Sequence, residues 1–168
     1  KKLIKKDKRI KLIINNKNIG AGLSRNKGIK FSKGNYICFI DADDKWKNNK
    51  LEKQIQFMKA NNYLISHTSY KIINEKNNVI GFRQARTFKN LNELLKSCDI
   101  GLSTVILKKK ILRKNIKFPD LKTKEDFVLW LKILNSGNTI YALDENLTIW
   151  TKTNNSLSSS IFQKLKDG

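Results

Sequence analysis

The stretch Asn35-Tyr-Ile-Cys-Phe-Ile-Asp-Ala-Asp-Asp44 is the part of the chain that decides the fold. Its first half is apolar and aromatic, and its second half places three carboxylates, Asp41, Asp43 and Asp44, within four positions. A short apolar run indicates a buried strand, and ligands bind at the carboxyl ends of the strands in an open α/β sheet. We therefore expect the aspartates at a ligand-facing edge of a sheet, with a solvated acidic turn as the alternative interpretation.

Carboxylates placed so close together repel one another, and a bound cation relieves the repulsion. Carboxylate oxygens suit a hard divalent ion such as Mg²⁺ or Mn²⁺, which can bridge to the phosphates of a substrate. The acidic stretch is therefore a candidate site for Mn²⁺ or Mg²⁺.

Composition bounds the class of protein. The chain has 168 residues, of which 39% are hydrophobic, enough for one globular domain, and no apolar run approaches the roughly 20 residues of a membrane span. Its net charge is +21, but the excess is mostly lysine, without interleaved aromatic residues or zinc-finger spacing, so we expect no specific nucleic-acid partner. A peripheral association with an anionic membrane stays open. Two unclustered cysteines, Cys38 and Cys98, favour a cytoplasmic protein, with a peripheral position at the inner face of the membrane also open.

The first half of the chain shows a strand, a helix and a second strand. Residues 10–14 have the pattern of a short strand, residues 21–32 that of a helix that Gly34 would end in a left-handed conformation, and the acidic stretch follows. Such a unit predicts that the first two strands are parallel. The next helix is predicted at 50–60, with Leu51, Ile55 and Met58 facing inward.

The second half carries the helix with the clearest pattern. It starts at 123, with Thr123 as the expected cap, and Gly137 is expected to end it. The side chains expected to be buried are Phe127, Trp130, Leu131 and Leu134. Strands are predicted at 140–143 and 147–151 around a turn at 144–146, and 154–168 is expected to form a polar tail.

Several short motifs stand in a fixed order along the chain. They are Asn18-x-Gly20, Ser24-Arg25-Asn26-x-Gly28, Gly34-x-Tyr36-Ile37-x-Phe39-Ile40-Asp41-Ala42-Asp43-Asp44, x-Trp46, Leu51-x-x-Gln54, Glu125-Asp126-x-x-Leu129-Trp130-Leu131 and Ser156-Leu157-Ser158. With this ordered set the chain resembles the family 2 glycosyltransferases of the GT-A fold. The resemblance implies an α/β, Rossmann-like fold with a mixed sheet flanked by helices, over a domain at 1–153.

The resemblance implies a role for each matching residue. Asp43 resembles the metal ligand of the family's Asp-x-Asp motif, Asp41 a contact to the ribose or diphosphate of the donor, and Arg25 a contact to its phosphates or base. Gly20 is a candidate donor-binding residue, since a glycine lets the backbone approach a ligand, with loop flexibility as the alternative explanation. Asp44 either contributes to the site or only caps the turn.

The acidic pair Glu125-Asp126 resembles the family's catalytic carboxylates, with Asp126 as the general base and Glu125 as its neighbour. Acidic residues at the start of a helix also offset the helix macrodipole, which is the alternative explanation of the pair. Arg25 likewise has an alternative interpretation, as an exposed arginine on a basic surface.

The activity that the resemblance implies is metal-assisted transfer of a sugar from a nucleotide-diphosphate donor to an acceptor hydroxyl, with inversion. We expect a UDP-sugar as donor and a glycan or lipid-linked acceptor, in the synthesis of bacterial surface polysaccharide or lipooligosaccharide. Two alternatives stay open: an inactive transferase fragment, and a basic module that binds anionic polymers or a membrane surface.

The family's usual opening strand, helix and strand have no counterpart before residue 10. The two predicted strands at 10–14 and 36–40 are apolar enough to be buried on both faces, so the sheet should continue beyond one of them. We therefore expect the chain to be the C-terminal part of a larger, here N-terminally truncated, domain, with an exposed apolar sheet edge.

Overall fold

A mixed sheet with helices packed against it forms the fold in the computed structural model, which describes residues 5–112 and 115–153. The strands are β1 (Tyr36–Cys38), β2 (Lys45–Trp46), β3 (Ile65–Asn74), β4 (Val79–Arg83), β5 (Ile106–Lys108) and β6 (Tyr141–Lys152). The helices are α1 (Gly20–Phe31), α2 (Lys50–Ala60), α3 (Leu91–Lys96) and α4 (Glu125–Asn135), with 3₁₀ turns at Leu102–Thr104 and Lys109–Ile111. The predicted α/β class is confirmed.

The order of strands across the sheet is β1-β5-β3-β6-β2. β3 and β6 run parallel at the centre, β5 pairs with the first residues of β3, and β4 pairs with its last residues. β2 runs antiparallel to the second half of β6, so the acidic segment between β1 and β2 lies beside the residues that end β6. This topology fixes where the candidate site can form.

Helix α2 has the predicted bounds, but only one of the three residues predicted to face inward is fully buried. The fully buried residues are Lys50, Gln54 and Met58, whereas Leu51 is 41% exposed. Met58 is buried as predicted, but Lys50 and Gln54 take the core-facing places predicted for Leu51 and Ile55, because both have hydrogen-bond partners inside the fold. Polar residues that find such partners can occupy a core-facing position.

Helix α4 packs as its pattern predicts at Trp130 and Leu134, which are buried together with Leu129 and Ile133. These side chains belong to the main hydrophobic core, which also contains residues of β3 and β5. Gly137, with φ of +81°, follows the helix in the left-handed conformation that was expected.

Two predicted helix ends are wrong. Thr123 does not cap α4, because the N-cap position is Lys124, which has φ of +59° and offers no side-chain hydrogen bond. Gly34 does not adopt the left-handed conformation, since its φ is not positive. Helix α1 is capped earlier by Ser32, whose backbone N–H donates to Gly28 O and Ile29 O. Helix α3, by contrast, has a side-chain cap, because Asn90 Oδ1 accepts a hydrogen bond from Glu93 N.

The strand predicted at 10–14 does not form. Ile10, Leu12, Ile13 and Ile14 are exposed, and within the described residues no strand pairs with this segment. The predicted parallel pairing with β1 is wrong as well, since β1 pairs antiparallel with β5. A strand needs a neighbour to accept its backbone hydrogen bonds, so an apolar segment without one stays irregular.

The turn predicted at 144–146 is wrong, since β6 is one continuous strand. Its pairing with β3 shifts register twice, with Leu143 opposite Thr68 and Asn146 opposite Ser69. Bulges of this kind absorb the extra residues without ending the strand. Asp144 stabilises the irregularity by accepting a hydrogen bond of 2.6 Å from Ser69 Oγ.

Within residues 5–112 and 115–153, no helix has both the length and the apolar character needed to cross a membrane. The predicted polar tail at 154–168 lies outside the described residues, so the boundary at 153 stays a prediction.

Candidate active site

The acidic loop, residues 41–44, lies between β1 and β2. It forms a turn that is closed by a hydrogen bond of 3.1 Å from Asp44 N to Asp41 O. Its three carboxylates lie in different environments. Asp43 is exposed, the Asp41 side chain is 41% exposed, and Asp44 is buried, with only 8% of its surface exposed. Asp44 Oδ1 accepts a hydrogen bond of 3.1 Å from Thr151 N, which explains why it faces inward. This contact joins the acidic loop to β6, and a contribution of Asp44 to the site stays a prediction.

Arg25, on α1, connects the two acidic segments that are some eighty residues apart in sequence. Its Nη2 donates to Asp41 Oδ1 at 2.8 Å, and its Nη1 forms an ion pair with Glu125. Its side chain is only 19% exposed, so the interpretation as a solvated surface arginine is wrong. Burial by itself lowers the pKa of Arg25, but the hydrogen bonds and charges of the two carboxylates outweigh it and raise the pKa.

The approach of α1 to the start of α4 requires a glycine at position 22. A Cβ atom there would lie 2.8 Å from Pro119 O and 3.1 Å from Glu125 Cγ, closer than ordinary contacts allow. Asn26 fixes the same segment, since its side-chain amide exchanges two hydrogen bonds with the backbone of Phe118. These contacts explain how Arg25 reaches Glu125.

Gly20, unlike Gly22, is not required by a close approach between two helices. It begins α1 with φ of +78°, a conformation that favours glycine, and a Cβ atom there would meet nothing within 4 Å. Its backbone N–H donates to Asn18 Oδ1 at 2.9 Å. Its expected contact with a donor stays a prediction.

Asp126 lies beside Glu125 in the first turn of α4, partly buried. Burial raises the pKa of Asp126, a hydrogen bond of 2.8 Å from Phe127 N opposes the shift, and the charge of Glu125 adds to it. A carboxylate with a raised pKa is a better general base than an ordinary aspartate. Glu125 is held by Arg25, whereas Asp126 has no side-chain partner in the described part of the chain, which leaves its carboxylate available to a substrate.

The donor set at the acidic loop fits a hard divalent cation that is shared with a substrate. Within the described residues no group of three or more acidic, histidine or cysteine side chains could hold a metal by itself. Asp43, however, is exposed, and no side chain of the described residues bonds to its carboxylate. Mg²⁺ sites at phosphate substrates commonly use only one or two carboxylates, with phosphate oxygens and waters completing the shell.

The chain matches the family model described as glycosyl transferase family 2 over residues 1–118. The chain belongs to this family. TuaG of Bacillus subtilis (strain 168), named for teichuronic acid biosynthesis, is 34% identical over 95% of this chain and 64% of its own length. WfgD of Escherichia coli, named as a UDP-Glc:α-D-GlcNAc-diphosphoundecaprenol β-1,3-glucosyltransferase, is 40% identical over 95% of this chain and 62% of its own length.

The fold of this family 2 member matches a solved transferase structure. S. aureus TarS 1-349 in complex with UDP-GlcNAc superposes with a TM-score of 0.67 at 25% identity, covering 84% of this chain and 42% of that one. The GT-A fold inferred from the sequence motifs is therefore confirmed. The chain spans less than two thirds of the length of the relatives it matches.

Sequence reasoning missed the residues that hold the acidic loop of this family 2 fold. Ser103, in the 3₁₀ turn, accepts a hydrogen bond from Asp41 N at 3.1 Å through its Oγ and also bonds to the Asp44 carboxylate. Its carbonyl oxygen accepts from Trp46 Nε1 at 2.7 Å, so one buried serine contacts both the loop and the strand that follows it. No local pattern marks this serine, because its partners lie some sixty residues away.

Thr151 was also missed. Its Oγ1 donates to Asp43 O at 2.5 Å and its N–H donates to Asp44, so the end of β6 fixes the backbone of the acidic loop. The sequence marked only a strand in this region, since a hydrogen bond between distant segments leaves no periodic signal.

Proposed function

We propose that this chain carries the donor-binding and catalytic centre of an inverting glycosyltransferase that moves a sugar from a UDP-sugar to an acceptor hydroxyl. The observation that supports this best is the contact of Arg25 with both Asp41 and Glu125. It brings a candidate metal and donor loop and a candidate general base to one place, which neither segment could do alone.

In the proposed reaction, the acceptor oxygen attacks the anomeric carbon while the bond from that carbon to the diphosphate breaks. Asp126 takes the proton of the attacking hydroxyl, and attack opposite to the leaving diphosphate inverts the anomeric centre. Glu125 and Arg25 position this carboxylate, because the ion pair anchors the start of α4. Arg25 keeps further N–H donors that can bind donor phosphates.

Asp43, with Asp41 beside it, would hold a Mg²⁺ or Mn²⁺ ion together with the diphosphate of the donor. The ion, when bound, would act as a Lewis acid on the leaving diphosphate. Asp41 is already paired with Arg25, so Asp43 is the residue we assign to the metal.

The comparisons support the choice of substrates. TarS is solved with UDP-GlcNAc, and WfgD is named for a UDP-glucose donor and a diphosphoundecaprenol-linked acceptor. We therefore propose a UDP-sugar donor and a lipid-linked glycan acceptor, in bacterial surface polysaccharide synthesis. An enzyme with such an acceptor would work at the membrane surface.

The test of this proposal separates the general base from donor binding. Replacing Asp126 with Asn should lower transfer from a UDP-sugar by about 10²–10⁴-fold. Calorimetric UDP affinity should stay within a few-fold, because the base acts on the acceptor. Asp120→Asn, the same change at an exposed loop position, is the matched control and should leave both quantities unchanged. Loss of transfer in Glu125→Gln but not in Asp126→Asn would reassign the base.

The same assay tests the metal assignment. Transfer should require Mn²⁺ or Mg²⁺ and stop in the presence of EDTA, and Asp43→Ala should lose most of the transfer while it unfolds at the wild-type temperature. Transfer that persists in EDTA would refute the metal site but leave the assignment of the base intact.

A further inference from the structure

An exposed apolar surface lies on the hairpin of β3 and β4, away from the hydrophobic core. Val79 and Ile80 are each 49% exposed and Phe82 is 57% exposed, all within five residues of one edge strand. Pairing places Phe82 opposite Lys71 and Val79 opposite Ile73, so these pairs lie on the same face, and Ile80 is the extra residue at a register shift. An exposed patch of this kind on an edge strand indicates an interaction site.

Basic side chains surround this surface. Lys71 Nζ lies 5.9 Å from the centroid of the Phe82 ring. Lys45, which shares this face because both it and Lys71 lie opposite Ile149, donates from its Nζ to Asn77 Oδ1 at the turn of the hairpin. We define the basic hairpin face by its three apolar and three basic residues: Val79, Ile80, Phe82, Lys45, Lys71 and Lys76. Glu75 is the one acidic residue between β3 and β4.

The basic hairpin face adjoins the acidic loop. Lys45 directly follows Asp44, and Thr151, which donates hydrogen bonds to Asp43 and Asp44, is the neighbour of Ile73 in the sheet. A partner bound to the hairpin would therefore lie next to the proposed metal and donor site.

We propose that the basic hairpin face docks on the surface of an anionic lipid bilayer. Exposed Phe, Ile and Val side chains can enter the boundary between headgroups and acyl chains, while the lysines attract the anionic headgroups. A second copy of the chain fits poorly, because two such faces in contact would oppose three cations with three cations. A nucleic-acid backbone would satisfy the cations but leave the apolar side chains without a partner.

Docking through this surface would place the proposed transfer reaction at the bilayer, and this consequence rests on the proposed function. Docking through the hairpin would hold the acidic loop close to the bilayer, where a sugar acceptor linked to a lipid diphosphate is accessible. The binding itself needs neither a donor nor transfer, so it is measured without a nucleotide sugar.

The experiment measures co-sedimentation of residues 1–168 with vesicles of phosphatidylcholine containing 30% phosphatidylglycerol, and with vesicles of phosphatidylcholine alone. Binding should be strong on the anionic vesicles and weak on the neutral ones. Phe82→Ser should weaken it about tenfold, and Lys71→Glu, which changes the charge by two units at about fivefold each, about 25-fold. The control Lys59→Glu makes the same charge change at the end of α2, beyond the opposite end of β3, and should weaken binding less.

A fluorescent probe tests whether the hairpin enters the lipid. Phe82→Trp should shift its emission to the blue when anionic vesicles are added, whereas Leu95→Trp, at the 60% exposed position of α3, should not. Both positions are exposed, so both variants should fold, which circular dichroism checks.

Three results would overturn the proposal. Equal losses for Lys59→Glu and Lys71→Glu would show that diffuse charge alone binds the vesicles. No loss for Phe82→Ser, or no blue shift for Phe82→Trp, would show that the hairpin stays out of the lipid. A dimer that Phe82→Ser dissociates would assign the face to a second copy. None of these results bears on transfer in solution, which the assay with Asp126→Asn measures.

Discussion

Arg25 and Lys50 are two largely buried cations with opposite kinds of partner. Arg25 pairs with the carboxylates of Asp41 and Glu125 and keeps some exposure. Lys50 is 0% exposed, and its Nζ donates to two neutral oxygens, Gln54 Oε1 at 2.6 Å and Thr104 O at 3.2 Å. It also lies 5.1 Å from the centroid of the Trp46 ring.

The difference shows in the pKa of each group. Carboxylate partners outweigh burial and raise the pKa of Arg25, whereas burial lowers the pKa of Lys50 to about 8. A cation paired with carboxylates holds groups that can act on a ligand. A cation paired with carbonyl oxygens fixes backbone, here the 3₁₀ turn that carries Ser103, at a cost in solvation.

The largest effect on transfer is expected from removing the ion pairs of Arg25. Arg25→Ala leaves the buried Glu125 without its partner, so we expect a loss of about 1–3 kcal/mol in the free energy of unfolding. Transfer should fall by about 100-fold or more, as for the loss of other fixed charges in active sites.

Arg25→Lys sharpens this result. It keeps the charge but not the planar fork that reaches two carboxylates, so we expect it to recover part of the stability and little of the transfer. Denaturant unfolding and turnover, measured on both variants, check the two quantities. Transfer by Arg25→Lys at the wild-type rate would show that only the charge matters.

The next largest effect is the pH dependence of stability that the buried Lys50 causes. The pKa of Lys50 is about 8 in the folded chain against 10.5 as its ordinary value, so the unfolded chain binds more protons between these pH values. The free energy of unfolding should therefore rise with pH across this window, by up to about 3 kcal/mol.

Lys50→Met removes this titration. Urea unfolding at pH 7.5, 9 and 10.5 should show the wild-type protein gaining stability relative to Lys50→Met as pH increases, with Lys59→Met as the exposed control on the same helix. Transfer by Lys50→Met at pH 7.5 should change only a few-fold. A wild-type curve parallel to that of Lys50→Met would contradict the lowered pKa.

The smallest effect tests the backbone that Lys50 supports. Ser103→Ala removes the hydroxyl that contacts Asp41 N and the Asp44 carboxylate, and should cost about 1–2 kcal/mol of unfolding free energy. The KM for the UDP-sugar should rise several-fold, since the loop loses its support. Ser66→Ala removes a buried hydroxyl that bonds to Gln54, and should cost similar stability with no change in KM. An unchanged KM in Ser103→Ala would assign Ser103 to stability alone.

The local elements that the sequence predicted well are those with strong periodicity. Helix α2 has the predicted bounds, α4 buries Trp130 and Leu134 as expected, and Gly137 ends it. The errors came where a distant partner decides the conformation. Residues 10–14 have a strand pattern without a neighbouring strand, and 144–146 have turn residues inside a strand that β3 holds in place.

The sequence by itself determined the class of the fold, the family and the identity of the acidic segments, because these depend on local patterns and on the order of motifs. Only the tertiary structure decided which carboxylates are available. It pairs Asp41 and Glu125 with Arg25, turns Asp44 inward to Thr151, and leaves Asp43 exposed and Asp126 without a side-chain partner in the described residues. Hydrogen bonds and ion pairs between distant segments make this distinction, and their energies depend on distance and burial rather than on position in the chain.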